Sequence, residues 1–174
     1  MAQKYDQLND KLKTFIREQK IFFIASAAEE GRVNLSPKGY NTLKILDDNR
    51  VLYLDYPGSG NETARHTNDG GRLTVMFASF DDKPMILRLY GKGEVIPEAS
   101  AKFDEFFSLF QNHNRQAVRQ MILITVEEVE ISCGFGVPLF EYKGEREELR
   151  RCAEKEAAKG PLSKCFDKIK GTLK

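Results

Sequence analysis

Three consecutive pieces of sequence decide the fold: Leu73-Thr74-Val75-Met76-Phe77, the turn Asp81-Asp82-Lys83-Pro84, and the apolar run over residues 85–96. The first and last pieces are rich in β-branched and aromatic residues, which indicates strands, and the turn between them is charged and ends in proline. Strands joined by so short a connection pair antiparallel, because a parallel pair needs a crossover of a dozen or more residues. Gly91 and Gly93 predict a bulge or bend in the second strand.

Short segments on both sides extend this pattern to six or seven strands. The further strands are predicted at residues 21–25, 33–36 (ending at Pro37), 51–55 and 121–131. Helices are predicted at residues 3–19, at 61–66, from Pro97 with Phe103, Phe106, Phe107 and Phe110 on one face, and from Glu145 onward, where Glu147 and Arg151 have the spacing of an ion pair. We therefore predict a mainly β, α+β protein: an antiparallel barrel or sandwich with peripheral helices.

Composition narrows the function classes. The chain has 174 residues, and its 27 Lys and Arg against 26 Asp and Glu give a formal charge of +1. This balance argues against a dedicated nucleic-acid binder, which needs a basic field. No apolar run is long enough to span a membrane, and the N-terminus has no signal-peptide stretch. The expected compartment is the cytoplasm, with no nucleic-acid or membrane partner.

The number and spacing of the cysteines and histidines do not predict a metal site. The three cysteines, Cys133, Cys152 and Cys165, are too few and too widely spaced for a disulfide framework or a zinc finger. The two histidines, His66 and His113, have no second ligand at metal-binding spacing. Cys133 is expected to pack as a small hydrophobic residue, with a redox role as the alternative.

The segment from Asp55 to Thr63 carries the strongest local signal. A strand ends, the flexible loop Pro57-Gly58-Ser59-Gly60 follows, and a helix begins with Asn61 as its N-cap. Free backbone N–H groups beside glycines can bind a phosphate. The alternative is an ordinary connecting loop.

Two further features could bind an anion. In Ser36-Pro37-Lys38-Gly39, a hydroxyl and an ammonium group flank a rigid proline, although a solvated turn has the same sequence. Arg88 alternates with apolar residues of a strand, so it needs a partner. That partner is either a carboxylate such as Asp55 or Glu94, or a ligand anion.

Together, these segments resemble the pyridoxamine 5'-phosphate oxidase-like family of FMN-binding split barrels. The ordered series that carries the resemblance is Ser36-Pro37-Lys38-Gly39, Tyr53-Leu54-Asp55, Pro57-Gly58-Ser59-Gly60-Asn61-Glu62-Thr63-Ala64, Arg72-Leu73-Thr74-Val75-Met76-Phe77, Ile86-Leu87-Arg88-Leu89-Tyr90-Gly91-Lys92-Gly93 and Cys133-Gly134-Phe135-Gly136-Val137-Pro138. The resemblance covers roughly residues 5–140 and implies a six-stranded antiparallel split β-barrel, so we expect a split-barrel domain over residues 1–140. The charge pattern predicts a charged helical extension over residues 141–174, where the chain departs from the family. The resemblance also implies a homodimer with FMN in a groove at the subunit interface.

The family's flavin contacts fall on definite positions of this sequence. They are Asn34, Leu35, Ser36, Pro37, Lys38, Leu54, Asp55, Ser59, Gly60, Asn61 and Thr63, and Arg88 matches an arginine on a later barrel strand. The resemblance assigns no catalytic residue. It favours an FMN-dependent oxidoreductase of unknown substrate. The alternatives are a reductase that uses the deazaflavin F420, and a non-catalytic flavin- or haem-binding sensor or storage protein.

The sequence departs from the authentic oxidases of the family at two places. Their Ser-Arg-Lys run is replaced by Asn61-Glu62-Thr63, and the chain has no Trp and no Arg-Leu-His-Asp-Arg motif. We therefore expect flavin binding without efficient formation of pyridoxal phosphate. Glu62 is expected to point away from a bound phosphate, because a facing carboxylate would repel it.

Overall fold

The structure is a computed structural model, and it describes residues 2–57 and 61–157. Its strands are β1 (Gln3–Tyr5), β2 (Phe22–Ala27), β3 (Asn34–Lys38), β4 (Leu43–Ile45), β5 (Arg50–Asp55), β6 (Arg72–Ala78), β7 (Ile86–Pro97) and β8 (Gln120–Ser132). Its helices are α1 (Asp10–Glu18), α2 (Glu62–Asn68), α3 (Ala101–Phe107) and α4 (Glu148–Ala157), with a single 3-10 turn at Arg115–Ala117.

All strands in the described part of the chain belong to one antiparallel sheet, as the sequence predicts. The strand order is β3-β2-β6-β7-β8-β5-β4, and β1 pairs with the C-terminal end of β8. The sheet has eight strands where six were expected, because the three-residue strands β1 and β4 add to six longer ones. The predicted bulge is confirmed by a register shift between Tyr90 and Gly91. A Cβ at Gly91 would collide with the carbonyl oxygen of Thr125.

Several predicted boundaries differ from the observed ones. The helix predicted over residues 3–19 starts only at Asp10, where the Asn9 side chain accepts a hydrogen bond from the Leu12 N–H at 3.1 Å. Gln3–Tyr5 form a strand that pairs with β8 instead. Strand β3 continues through Pro37, since a proline is tolerated on an edge strand. Pro97 ends β7 rather than opening α3, which is capped by Ser100.

Two apolar clusters cover opposite faces of the sheet. Along β5, Val51 and Tyr53 pack into the larger cluster with Leu12, Phe15 and Ile16 of α1. The alternate residues Leu52 and Leu54 pack into the smaller cluster with Phe103 of α3 and Phe110. Burial on both faces explains why the sequence of β5 is a continuous apolar run.

The segment after β8 is partly helical where the structure describes it. Cys133 follows β8 and is exposed, so the expectation that it packs as a small hydrophobic residue is wrong. Helix α4 packs near the 3-10 turn, and Arg151 donates to Glu147 at 3.0 Å, as the spacing predicts. The predicted solvated tail at residues 159–174 lies outside the described residues. No helix in the described part of the chain is long and apolar enough to cross a membrane.

The connection over residues 39–42 brings one edge of the sheet close to β5. Thr42 donates its N–H to the Gly39 carbonyl at 3.3 Å, and Leu54 donates its N–H to the Thr42 carbonyl at 2.9 Å. As a result, the end of β3 and the end of β5 meet, and their polar side chains face each other.

Candidate functional site

An open cleft of about 270 Å³ lies where β3, the end of β5 and the start of α2 meet. We call it the polar cleft. The described residues that line it are Arg32, Asn34, Ser36, Lys38, Asp55, Tyr56, Asn61, Glu62, Thr63, Arg65 and Arg119. Four of these side chains are cationic and two are carboxylates, so the polar cleft has a formal excess of two positive charges.

Asp55 is the centre of one charge cluster. Its side chain is only 6% exposed and accepts from three donors: Lys38 Nζ at 3.2 Å, Arg119 Nη2 at 2.7 Å and Gln120 Nε2 at 2.8 Å. A buried carboxylate is stable only when such partners compensate its lost hydration. Asp55 thereby binds both Lys38, at the end of β3, and Arg119, just before β8, at the polar cleft.

Glu62 forms the second charge cluster. Arg32 donates to Glu62 Oε1 from Nε at 2.8 Å and from Nη2 at 2.5 Å, and Arg65 Nη2 lies 3.7 Å from the same oxygen. The hydrogen bond from Arg32 lowers the pKa of Glu62. Glu62 lines the polar cleft, where the two guanidinium groups offset its charge, and its orientation relative to a bound phosphate stays a prediction.

A hydrogen-bond network fixes the β3 side of the polar cleft. Asn34 Nδ2 donates to Thr63 Oγ1 at 3.1 Å and to Ser26 Oγ at 3.4 Å, and Ser36 Oγ donates to Asn34 Oδ1 at 3.3 Å. Behind it, Ser26 Oγ lies 3.0 Å from His66 Nδ1. These bonds hold the side chains of β3 against α2.

Asn61 stands at the start of α2 as predicted, but its side chain makes no capping hydrogen bond. Its Oδ1 instead accepts from Gln120 Nε2 at 2.6 Å. The same Gln120 nitrogen donates to Asp55, so one buried amide connects the end of β5 to the start of α2.

The structure brings together six of the predicted site residues, namely Asn34, Ser36, Lys38, Asp55, Asn61 and Thr63. Leu35 and Pro37 alternate with them and are exposed on the other face of β3, and Leu54 is buried in the smaller apolar cluster. Ser59 and Gly60 lie outside the described residues.

Arg88 does not line the polar cleft. It contacts Glu130 at 3.4 Å and Ser132 at 3.1 Å on the neighbouring strand β8. A carboxylate partner was one of the two expectations, but the partners named for it, Asp55 and Glu94, were wrong. Strand register decides this pairing, because Arg88 lies directly opposite Glu130.

Sequence reasoning missed three arginines of the site. Arg65 had a detectable signal, since it follows Glu62 by three residues on a predicted helix. Arg119 lies just before β8 and reaches Asp55 only because β8 pairs with β5. Arg32 lies in the turn before β3, 30 residues from its partner Glu62, and no local pattern indicates that contact.

The polar cleft offers few groups that could act as a general acid or base. Tyr53 is fully buried beneath Lys38, whose ammonium lies 5.6 Å from the ring centre, and burial raises the pKa of the Tyr53 phenol. No group of three or more His, Cys, Asp or Glu in residues 2–57 and 61–157 could hold a metal ion. The arrangement is suited to binding an anionic ligand by charge and hydrogen bonds.

Comparison with known sequences places the chain in a family. A family profile described as pyridoxamine 5'-phosphate oxidase matches residues 8–133. The chain belongs to the pyridoxamine 5'-phosphate oxidase family. Among curated proteins, the family protein ustO of Aspergillus flavus is 39% identical over 140 residues, which is 79% of this chain and 56% of the relative. The chain thus spans little more than half the length of that relative.

Solved structures of similar proteins have the same fold. A Lactobacillus delbrueckii protein assigned to the pyridoxamine 5'-phosphate oxidases superposes with a TM-score of 0.58 at 15% identity, covering 72% of this chain and 94% of that one. HupZ of Group A Streptococcus superposes with a TM-score of 0.54 at 17% identity, covering 70% of this chain and 91% of that one. These likenesses confirm the split-barrel fold class.

Proposed function

We propose that this family member binds FMN and that the polar cleft takes the phosphate end of the cofactor. The observation that carries the proposal is the excess of two positive charges in the cleft. A phosphate monoester has a charge of about −1.5 to −2 at neutral pH, so it complements that excess. The cleft residues therefore fit the group, even though Glu62 and Thr63 stand where the authentic oxidases carry Arg and Lys.

Lys38 and Arg119 would hold the phosphate by charge-assisted hydrogen bonds, which are about twice as strong as neutral ones. Asp55 would keep these two cations in place, since both already donate to its carboxylate, and Gln120 would hold that carboxylate by its own hydrogen bond to Asp55. The hydroxyl groups of Ser36 and Thr63 would add neutral hydrogen bonds. When bound, the flavin supplies the redox chemistry, and the protein contributes binding, orientation and electrostatics.

An FMN-dependent oxidoreductase is the activity that we propose, with the substrate left open. The chemistry of the cleft favours FMN over haem. Coenzyme F420 is also anionic, because its tail carries a phosphodiester and glutamate carboxylates, so the charge of the cleft does not separate it from FMN and the absorbance spectrum must do so. Haem needs an apolar pocket and an axial ligand, whereas the described lining of the cleft is polar and contains no His or Cys.

We also propose that the functional unit is a homodimer. Strand β3 is an edge of the sheet, and Val33 (69% exposed) and Leu35 (65% exposed) lie on its face away from the polar cleft. An unpaired edge strand with exposed apolar side chains is a surface that a second copy of the chain could cover. A sedimentation mass near 19.9 kDa at micromolar concentration would contradict the dimer.

The absorbance spectrum of the protein purified from its native host tests the cofactor. Flavin, deazaflavin and haem have distinct bands, and we expect those of a flavin. Turnover of NAD(P)H with an electron acceptor then tests the oxidoreductase activity. A haem or deazaflavin spectrum, with no FMN binding by the apoprotein, would refute the assignment.

A further inference from the structure

We propose that two residues of the segment after β8, Glu145 and Arg150, are positioning residues of the phosphate site, because they hold the turn beside Lys38 in the conformation that binds the phosphate. This turn comprises residues 39–42, and we call it the β3–β4 turn. Both positioning residues lie beyond residue 133, where the match to the family profile ends. The inference rests on the proposed function, since the phosphate in question is that of FMN.

The backbone of the β3–β4 turn is strained at two residues that are not glycine. Tyr40 has a φ of 59° and Asn41 has a φ of 51°, so both lie in the left-handed region. Asparagine enters this region more readily than most residues, whereas a bulky aromatic residue is rarely found there. Such a conformation persists only where the surrounding structure fixes it. Contacts that hold Tyr40 are therefore needed.

The β3–β4 turn connects directly to the polar cleft. Its first residue, Gly39, follows Lys38, and the buried Thr42 donates its hydroxyl to the Gly39 carbonyl at 2.7 Å. The Thr42 carbonyl accepts the N–H of Leu54 at 2.9 Å, one residue before Asp55. The conformation of the turn therefore sets how the end of β3 presents the Lys38 ammonium, which lies 3.2 Å from the Asp55 carboxylate.

Contacts from the C-terminal segment hold Tyr40. Its N–H donates to Glu145 Oε1 at 3.3 Å, and the guanidinium carbon of Arg150 lies 5.4 Å from the centre of its ring. The other carboxylate oxygen of Glu145 lies beside Gly39, because a Cβ built on that glycine would be 3.4 Å from it. The same segment thus contacts the backbone and the ring of the most strained residue of the turn.

These contacts are weak singly but sufficient together. A cation over an exposed ring and a long hydrogen bond each contribute little in water. Their sum is of the same order as the cost of placing one residue in the left-handed region. Without them, part of the molecules leave the binding conformation, and the affinity for FMN falls in proportion to the fraction that remains.

Two substitutions of Tyr40 in the full chain separate this role from a merely structural one. Tyr40→Ala and Tyr40→Gly both remove the ring, but only alanine keeps the steric cost of the left-handed region. Each apoprotein is titrated with FMN and with riboflavin, which lacks the phosphate. We expect Tyr40→Ala to weaken FMN binding by about three- to tenfold, and Tyr40→Gly by less than about twofold. Riboflavin binding should be unchanged in both variants.

A second comparison removes the contacts from the side of the C-terminal segment. The double variant Glu145→Ala/Arg150→Ala should weaken FMN binding by about three- to tenfold, but by less than about twofold when Tyr40→Gly is also present. Glu147→Ala/Arg151→Ala is the matched control. It removes one acid and one base from the same segment, where they pair with each other at 3.0 Å, and leaves the contacts of Tyr40 in place.

Backbone amide NMR signals of Gly39 and Thr42 in the apoprotein report on the turn without a ligand. They should shift in Glu145→Ala/Arg150→Ala and stay in place in the matched control. The inference is overturned if Tyr40→Gly loses as much FMN affinity as Tyr40→Ala, or if the matched control loses as much as the Glu145 and Arg150 variant. If the wild type itself binds no FMN, the proposed function fails, whereas these signals still decide whether Glu145 and Arg150 hold the turn.

Discussion

Replacing Lys38 by Met removes one positive charge from the polar cleft with little other disturbance. The methionine keeps an apolar stem over the Tyr53 ring, where the Lys38 ammonium lies 5.6 Å from the ring centre. Asp55 keeps Arg119 and Gln120 as donors, so it is not left without a partner. We expect the free energy of unfolding to fall by only about 1 kcal/mol.

The effect on FMN binding should be larger than the effect on stability. A hydrogen bond to a charged group contributes about 1.5–3 kcal/mol, which corresponds to a loss of about 10- to 150-fold in affinity. The Lys38 side chain is 23% exposed and shared with Asp55, so the loss should lie toward the lower end of that range.

Titration of the apoprotein with FMN, followed by quenching of flavin fluorescence, measures this loss. Lys92→Met is the matched control, because Lys92 is also paired with a carboxylate, Glu127 at 3.5 Å, but does not line the polar cleft. If folded Lys38→Met binds FMN within about twofold of the wild type, Lys38 does not contact the phosphate, and the reasoning from the charge balance fails.

Three other outcomes follow from the contacts. Glu62→Gln removes a negative charge from the cleft and should tighten FMN binding by about three- to tenfold in a fluorescence titration, whereas unchanged binding would place the phosphate away from α2. Gly91→Ala should destabilise the fold by about 3 kcal/mol or more in chemical denaturation, since the added Cβ would strike the Thr125 carbonyl; a cost below about 1 kcal/mol would contradict the bulge geometry. Burial lowers the pKa of His113 in the folded protein below its ordinary 6.5, so the unfolded chain binds a proton at a higher pH than the folded one. The free energy of unfolding should therefore decrease as the pH falls below about 6.5. The decrease should be smaller in His113→Gln, and equal pH profiles of unfolding free energy for the two proteins would refute this prediction.

The fold could be predicted from sequence because its signals are local. The apolar alternation of β6 and β7, the short charged turn between them and the glycines at the bulge each act over a few residues. The first helix was predicted too long because Tyr5 continues the apolar spacing, although Gln3–Tyr5 pairs with the end of β8. That pairing joins residues at opposite ends of the barrel sequence, and no local pattern encodes it.

Only the part of the candidate site that local motifs carry could be predicted from the sequence. Ser36, Lys38 and Asp55 were found because short motifs around strand ends carry them. The position of Arg119 depends on the register between β5 and β8, and the position of Glu62 depends on an arginine 30 residues away. Contacts of this kind arise from tertiary packing, which sequence periodicity does not specify.

Comparison of FMN with riboflavin tests the central claim most directly, because the two flavins differ only in the phosphate. The apoprotein is titrated with each at the same pH and ionic strength. We expect FMN to bind at least about a hundredfold more tightly, since the polar cleft offers at least two charge-assisted contacts to the phosphate. Equal binding of the two flavins, or binding of neither, would contradict the account.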